Sequence, residues 1–405
     1  MTMVKARKYL AIVALLAAVA LVVTGCGGAP TTGGTTTGGA AKATVTIGIG
    51  APITDGAVAL GKGMVNGANL AVAQANETSE VQSLGLTIAT VVGDDKGDPA
   101  TGGTVATQFA ANPTLVGVMG HLNSGVTRVA VKIYNAANIV QVSPANTAVD
   151  LTQMGMTNYF RVCTIDSVQG PVAADYAFKT AGIKVAYVVD DSTPYGEGLA
   201  SAWAAQFTAD GGTVVGTAKT TDKQTDFKSL VTTIKSKNVG MVYYGGIYNA
   251  GALLSKQMKE GGVAVPLMGG DGLFDPEYIK LAGAANATGD LATSVGLPLA
   301  QLPQGQAFKT AFDAAYSGQE IAAYDAYSFD AANVIIKAII SVAKSMGVDK
   351  VATTEGKLAV IKAVAATNFD GVTGHVQFDA NGDTTNKAIT VYVVGADGTW
   401  APAAK

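Results

Sequence analysis

Leu115-Val116-Gly117-Val118-Met119-Gly120-His121-Leu122-Asn123-Ser124 is the stretch that decides how this chain folds. An apolar run ends at Gly120, a short polar turn follows, and from Ser124 to residue 137 apolar side chains recur at three- and four-residue spacing. A change from strand period to helix period across one turn is half of a βαβ unit. The same unit recurs on both sides. Strands are expected over residues 44–50, 86–92, 139–143, 184–190, 213–217, 239–245 and 265–269, with helices over 57–77, 99–111, 169–181, 196–210, 226–237 and 249–260. Asp98 before Pro99 suits a helix start, because a carboxylate can cap the first free N–H groups and proline lacks one, while Gly211-Gly212 and Gly261-Gly262 are stop signals. The later chain is more helical, over 304–316, 325–345 and 355–367. It ends in an expected hairpin, 374–379 with 388–394, around Ala380-Asn381-Gly382-Asp383. Alternation of this kind, in two batches, predicts an α/β protein with two doubly wound, Rossmann-like lobes.

The first 25 residues tell a different story. Lys5, Arg7 and Lys8 precede an apolar run from Tyr9 to Val23, and Val23-Thr24-Gly25-Cys26 follows, which reads as a bacterial lipoprotein signal peptide with Cys26 as the lipidated first residue. Residues 26–42 are mostly Thr, Gly and Ala, a composition that buries no core and serves as a flexible tether. The body is therefore expected outside the cytoplasm, anchored by lipid at the membrane or cell surface. Three of the 27 basic residues fall in the signal segment, leaving 24 against 30 acidic ones, a net of about −6 that excludes nucleic acid as a partner class. Cys26 and Cys163 are the only cysteines, so with Cys26 lipidated no intrachain disulfide forms. Cys163 sits in the apolar run Tyr159-Phe160-Arg161-Val162-Cys163 and reads as a buried small hydrophobe. With His121 and His375 as the only histidines, neither a metal site nor a cofactor is expected.

In open parallel sheets ligands sit beyond the carboxyl ends of the strands, so the strand-to-helix turns carry the functional reading. Gly56-Ala57-Val58-Ala59-Leu60-Gly61-Lys62 matches most of a phosphate-binding loop. It fails at Gly63, which replaces the hydroxyl that would hold magnesium. In Gly120-His121-Leu122-Asn123-Ser124, Ser124 stands at a helix N-cap, and two readings stay open: it caps its own helix, or it joins the free N–H groups as an anion site for a small carboxylate. Ser143-Pro144-Ala145-Asn146-Thr147 is a second polar turn on the same side. A hydrolase would need a serine elbow with a histidine partner, yet Gly-x-Ser-x-Gly is absent. A dehydrogenase would need the third glycine that Gly48-Ile49-Gly50-Ala51-Pro52-Ile53 lacks. The chain does not read as an enzyme.

With these turns in view, the chain resembles the Leu/Ile/Val-binding proteins, the extracytoplasmic solute receptors of branched-chain amino acid ABC transporters. The markers are Gly-His-Leu-Asn-Ser (120–124), Ser-Pro-Ala-Asn-Thr (143–147), Asp166-Ser167 before Gln169-Gly170-Pro171, Tyr195-Gly196-Glu197-Gly198, Val242-Tyr243-Tyr244-Gly245-Gly246, Gly269-Gly270-Asp271-Gly272, Tyr324-Asp325-Ala326 and Gly374-His375-Val376-Gln377-Phe378-Asp379. The resemblance implies a type I periplasmic-binding fold whose lobes are joined by three hinge crossings, near Asp166, Ser294 and Val372. One lobe would comprise 43–165 with 295–371, the other 166–294 with 372–405. It implies that Ser124, Ala145 and Thr147 hold the α-carboxylate and part of the ammonium of a bound amino acid, that Leu122 forms part of the wall, and that Tyr195 and Asp271 reach across from the second lobe, Asp271 to the ammonium. It further implies a monomer that hands its ligand to ABC permease membrane subunits.

Three departures bear on the ligand. Asp271 stands where the relatives carry a longer acidic side chain, Ile247 followed by Tyr248 stands where one pocket aromatic is expected, and Leu60 stands where a tyrosine can occur. They make the pocket more aliphatic. Burying a Leu or Val side chain contributes about 1.5–3 kcal/mol, enough to prefer an aliphatic amino acid over glycine but not to rank leucine, isoleucine and valine. From the residues alone, Asp271 between glycines also suits a local turn cap, Tyr195 a rim aromatic, and Asp94 and Asp95 a structural turn. The alternatives keep the fold and change the ligand to a short amide, urea or another amino acid, or make the chain a ligand-sensing module.

Overall fold

A computed structural model of the chain describes residues 42–404. The signal segment, Cys26 and the tether up to residue 41 lie outside the described residues. The first sheet is built from β1 (Ala43–Ala51), β2 (Leu86–Asp94), β3 (Leu115–Gly120), β4 (Val140–Ser143) and β5 (Tyr159–Arg161), in the order β2-β1-β3-β4-β5, parallel at every pairing. β3 and β4 are buried along their whole length; β3 accordingly reads as a continuous apolar run, whereas β4, Val-Gln-Val-Ser, buries Gln141 and Ser143 as hydrogen-bonding groups.

The second sheet contains β6 (Val185–Asp190), β7 (Thr213–Lys219), β8 (Met241–Gly245), β9 (Leu267–Gly269) and β10 (Leu291–Val295). β11 (Asn368–Gly371) and β12 (Gly374–Gln377) form a separate antiparallel ribbon, while β13 (Ile389–Val394) and β14 (Trp400–Pro402) complete the second sheet in the order β14-β13-β10-β9-β8-β6-β7. Pairings from β10 to β7 are parallel; β13 joins β10 and β14 antiparallel. One parallel and one largely parallel sheet, each with crossover helices, are the two doubly wound lobes that the alternation predicted.

The expected hairpin between 374–379 and 388–394 is not formed. Its turn does close, through a Phe378–Thr384 bridge and Asp379 N–H donating to Asp383 O at 2.8 Å, but the strands then part. β12 turns back on β11, and β13 is claimed by β10 and β14, whose ladders use both of its edges. The turn is used elsewhere. Arg161 N–H donates to Gly382 O at 3.0 Å and Arg161 Nε to Asp383 at 2.5 Å, which ties it to the end of β5.

The chain passes between the sheets three times: after β5 into the helix Asp166–Asp175, which packs on Pro194–Ala209 of the second layer; after β10; and between β12 and β13. Ahead of the last passage Asp330 fixes the turn between β11 and β12, accepting from the N–H groups of Val372 and Thr373 at 3.0 and 2.8 Å. Asp330 belongs to the helix Asp325–Met346, long and apolar enough to cross a membrane by length and composition. That composition reflects its place in the core, packed on β3, β4 and the helix Val58–Glu77. The approach is close: a Cβ on Gly67 would come within 2.1 Å of Asp325 O, so this contact requires glycine.

Candidate functional site

The turns that follow β2, β3 and β4 face those that follow β6 to β9 across a cleft of about 300 Å³. Its first wall is made of Leu60, Leu122, Ser124 and Ala145, its second of Tyr195, Ile247 and Gly272, with Tyr324 at the start of Asp325–Met346. Both sheets thus present their strand carboxyl ends to one space, as open parallel sheets do around ligands.

The first wall has polar groups to spare. The helix Ser124–Ala136 begins one residue earlier than expected, with Asn123 rather than Ser124 at the N-cap, because Asn123 holds the extended backbone that a cap requires. Asn123 makes no side-chain cap bond, and the first intrahelical backbone bond is from Thr127 N–H to Asn123 O. The preceding N–H groups are left without helix partners. Among the described residues the Ser124 hydroxyl also has no hydrogen-bond partner. The following turn is pinned from behind: Ser143 Oγ accepts from Ala145 and Asn146 N–H at 3.2 and 3.0 Å, and Asn146 Nδ2 donates to Leu122 O at 2.6 Å. Thr147 is fully buried behind this turn, its hydroxyl unpartnered among the described residues.

The second wall is saturated. Asp271 is fully buried one layer behind Gly272, and its carboxylate accepts from Tyr195 OH at 2.8 Å, Gln169 Nε2 at 2.9 Å and Tyr324 OH at 2.6 Å. Burial pushes the Asp271 carboxyl up from the usual range, while Tyr324, Gln169 and Tyr195 favour its charged form. Burial, with the nearby Asp271, also holds the Tyr195 and Tyr324 phenols far above their ordinary value, so both stay protonated donors. Gln169 is fixed in orientation because its Oε1 accepts from Asp271 N–H at 3.1 Å and Thr293 Oγ1 at 2.9 Å.

A sequence model described as periplasmic binding protein matches residues 44–399. The chain belongs to the periplasmic binding protein family. A Leu/Ile/Val-binding protein homolog 1 from Brucella melitensis is 32% identical over 369 residues, 89% of this chain and 94% of its own. Among solved structures, a leucine binding protein, LivK, from Thermotoga maritima superposes with a TM-score of 0.79 at 26% identity, covering 89% of this chain and 98% of that one. The branched-chain amino acid transporter substrate binding protein LivJ from Streptococcus pneumoniae, in complex with isoleucine, has a TM-score of 0.78 at 24% identity and the same fold, covering 88% and 98%.

In this periplasmic binding protein the cleft brings together Leu122, Ser124, Ala145 and Tyr195. Asp271 and Thr147 lie just behind the walls rather than in them. Tyr248 turns toward the opposite lobe, where its hydroxyl accepts from Ala59 N–H at 3.1 Å, and burial pushes its phenol up to about 12. Ala59 opens the helix Val58–Glu77, which has no side-chain cap of its own. Beside it Asn249 Nδ2 donates to Gly56 O at 2.9 Å and Lys223 pairs with Asp55 at 3.6 Å. These contacts, with Tyr324 to Asp271, stitch the two lobes across the cleft.

Tyr324 and Gln169 stand among the family markers with no ligand role implied, Asp166 only as a hinge position, and Asn146 only as part of its turn. Asn146, Tyr324 and Gln169 act through partners 24 to 102 positions away, a separation that leaves no periodic signal in the chain. His121, three residues before Ser124, is buried between Asp95 at 2.6 Å and Tyr134 at 2.9 Å, behind the turn and away from the cleft. Cys163 is fully buried and its thiol is pushed up by burial, consistent with a packing role.

Proposed function

We propose that this chain is the extracytoplasmic receptor of an ABC importer, anchored by lipid at Cys26, which captures a neutral branched-chain amino acid as its two lobes close and passes it as a monomer to permease subunits. The lobes would divide as 43–165 with 295–371 and 166–294 with 372–405. The observation that carries the reading is the asymmetry of the cleft. Unpartnered donors at Ser124 and the helix start suit a carboxylate, and the buried Asp271 carboxylate lies behind Gly272 for an ammonium. A zwitterion leaving water needs donors at one end and acceptors at the other. Leu60, Leu122 and Ile247 give the side-chain space an aliphatic lining.

A second reading, a short amide or urea, has one observation in its favour: Asp271 is already satisfied by neutral donors. Calorimetry on refolded, ligand-free protein with leucine, isoleucine, valine, glycine, short amides and urea separates the two. Heat from the branched-chain amino acids is expected; heat from amides alone would overturn the assignment. Turnover of any bound ligand would overturn the assignment of a receptor rather than an enzyme.

A further inference from the structure

Asp166, at the first passage between the sheets, is a fully buried carboxyl that nothing in the amino-acid reading uses. Its Oδ2 has no partner among the described residues, and its Oδ1 receives one long bond, 3.4 Å from Gln169 Nε2. The same amide nitrogen donates to Asp271 at 2.9 Å, so one NH2 group bridges two buried carboxyls. Arg161, the nearest cation, is committed elsewhere: Nε to Asp383 at 2.5 Å, and Nη1 to Asn146 O at 3.0 Å and Ala148 O at 2.7 Å. The other titratable groups facing the pair are Cys163 after β5, Tyr243 on β8, Tyr195, Tyr324 and, on the helix Asp325–Met346, Tyr327, all buried and neutral. The Thr147 hydroxyl lies on the Asp166 side without a well-formed hydrogen bond and, with Arg161 and Gln169, only partly offsets the rise.

Two carboxylates this close, without a free cation, cannot both be charged at low cost. Asp271 has three short donors and Asp166 has one long one, so the proton belongs on Asp166. Burial, then Asp271, raise the Asp166 carboxyl to about 8. We propose that Asp166 is a second carboxyl group of the ligand site, protonated in the ligand-free protein and ionised when a cationic ligand end settles beside Asp271, so that capture of an ammonium-bearing solute releases a proton. This rests on the amino-acid reading above and sharpens it: the doubled carboxyl selects a ligand with a cationic end over an uncharged amide.

The sign follows from linkage. The bound state holds fewer protons than the free state below about pH 8, so affinity rises with pH there, by up to about tenfold per unit, and levels off above. Calorimetry of the wild-type chain with leucine, in pairs of buffers that differ in ionisation enthalpy, reads the proton count directly between about pH 6 and 7.5. Release approaching one proton is expected, and Asp166→Asn should abolish it, flatten the pH profile and weaken leucine binding most at the alkaline end. An ammonium-bearing ligand that binds the wild type with no proton release overturns the role of Asp166 but leaves the receptor reading standing; undiminished release in D166N does the same. Binding of uncharged amides alone overturns both. If D166N does not fold, the wild-type proton count still decides.

Discussion

The two walls of the cleft are built from the same unit, a parallel strand running into a helix, yet they end in opposite states. The first wall leaves donors unused at Ser124 and the helix start, whereas the second already gives Asp271 three donors, Tyr195, Gln169 and Tyr324. An unfilled wall selects by what it lacks. A filled wall holds its geometry before any ligand arrives, at the cost of keeping a carboxylate buried. The difference teaches that the carboxylate end of the ligand would be recognised by groups that gain partners, and the ammonium end by groups that must share theirs.

The comparison can be broken most severely at Asp271. Asp271→Ala removes the acceptor of three buried donors, and leucine affinity is expected to fall by about 2–5 kcal/mol. Unchanged affinity by calorimetry removes Asp271 from the site. On the other wall, Ser124→Ala deletes one donor to a charged group, expected to cost about 1.5–3 kcal/mol of leucine binding. Because that hydroxyl has no partner among the described residues, thermal stability should stay the same. A fall in melting temperature equal to that of a lost helix cap would make Ser124 structural.

Smaller effects test the stitching between lobes. Tyr248→Phe removes the acceptor that caps Ala59 N–H in trans, and a lost cap costs about 0.5–2 kcal/mol. It should appear as faster leucine release in stopped-flow measurements, with the ranking of leucine, isoleucine and valine unchanged. A changed ranking would return Tyr248 to the pocket lining. Least affected should be Lys223→Ala, which breaks an exposed pair with Asp55. Exposed pairs contribute little, so affinity should drop by less than about fivefold, and that small loss should vanish at high salt.

How far the sequence reaches differs along the chain. β3, with its unbroken apolar run, and Asp98-Pro99, which caps and opens the helix Pro99–Ala111 as expected, were legible because their causes are local. β10, Leu-Ala-Thr-Ser-Val, was not among the expected strands: it is short, without a marked period, and held mainly by neighbours on both sides. The false hairpin at 374–394 has the same origin. Its turn chemistry was right, and the partners of β12 and β13 were decided by strands far away in the chain. At the site, Ser124 and Ala145 could be found from strand-end turns, whereas nothing local joins Asp166 to Asp271 through Gln169.

Residue order by itself determined the alternation of strand and helix, the excess of acidic over basic residues and the turns from which a cleft could be built, because period, charge and turn chemistry act over a few neighbouring positions. Only the tertiary structure decided that Tyr248 faces Ala59 rather than the ligand space, that Tyr324 answers Asp271, and that two carboxyls share one amide. Those outcomes depend on which groups lose water together when distant segments pack, and burial is a property of the assembled whole rather than of any stretch of chain.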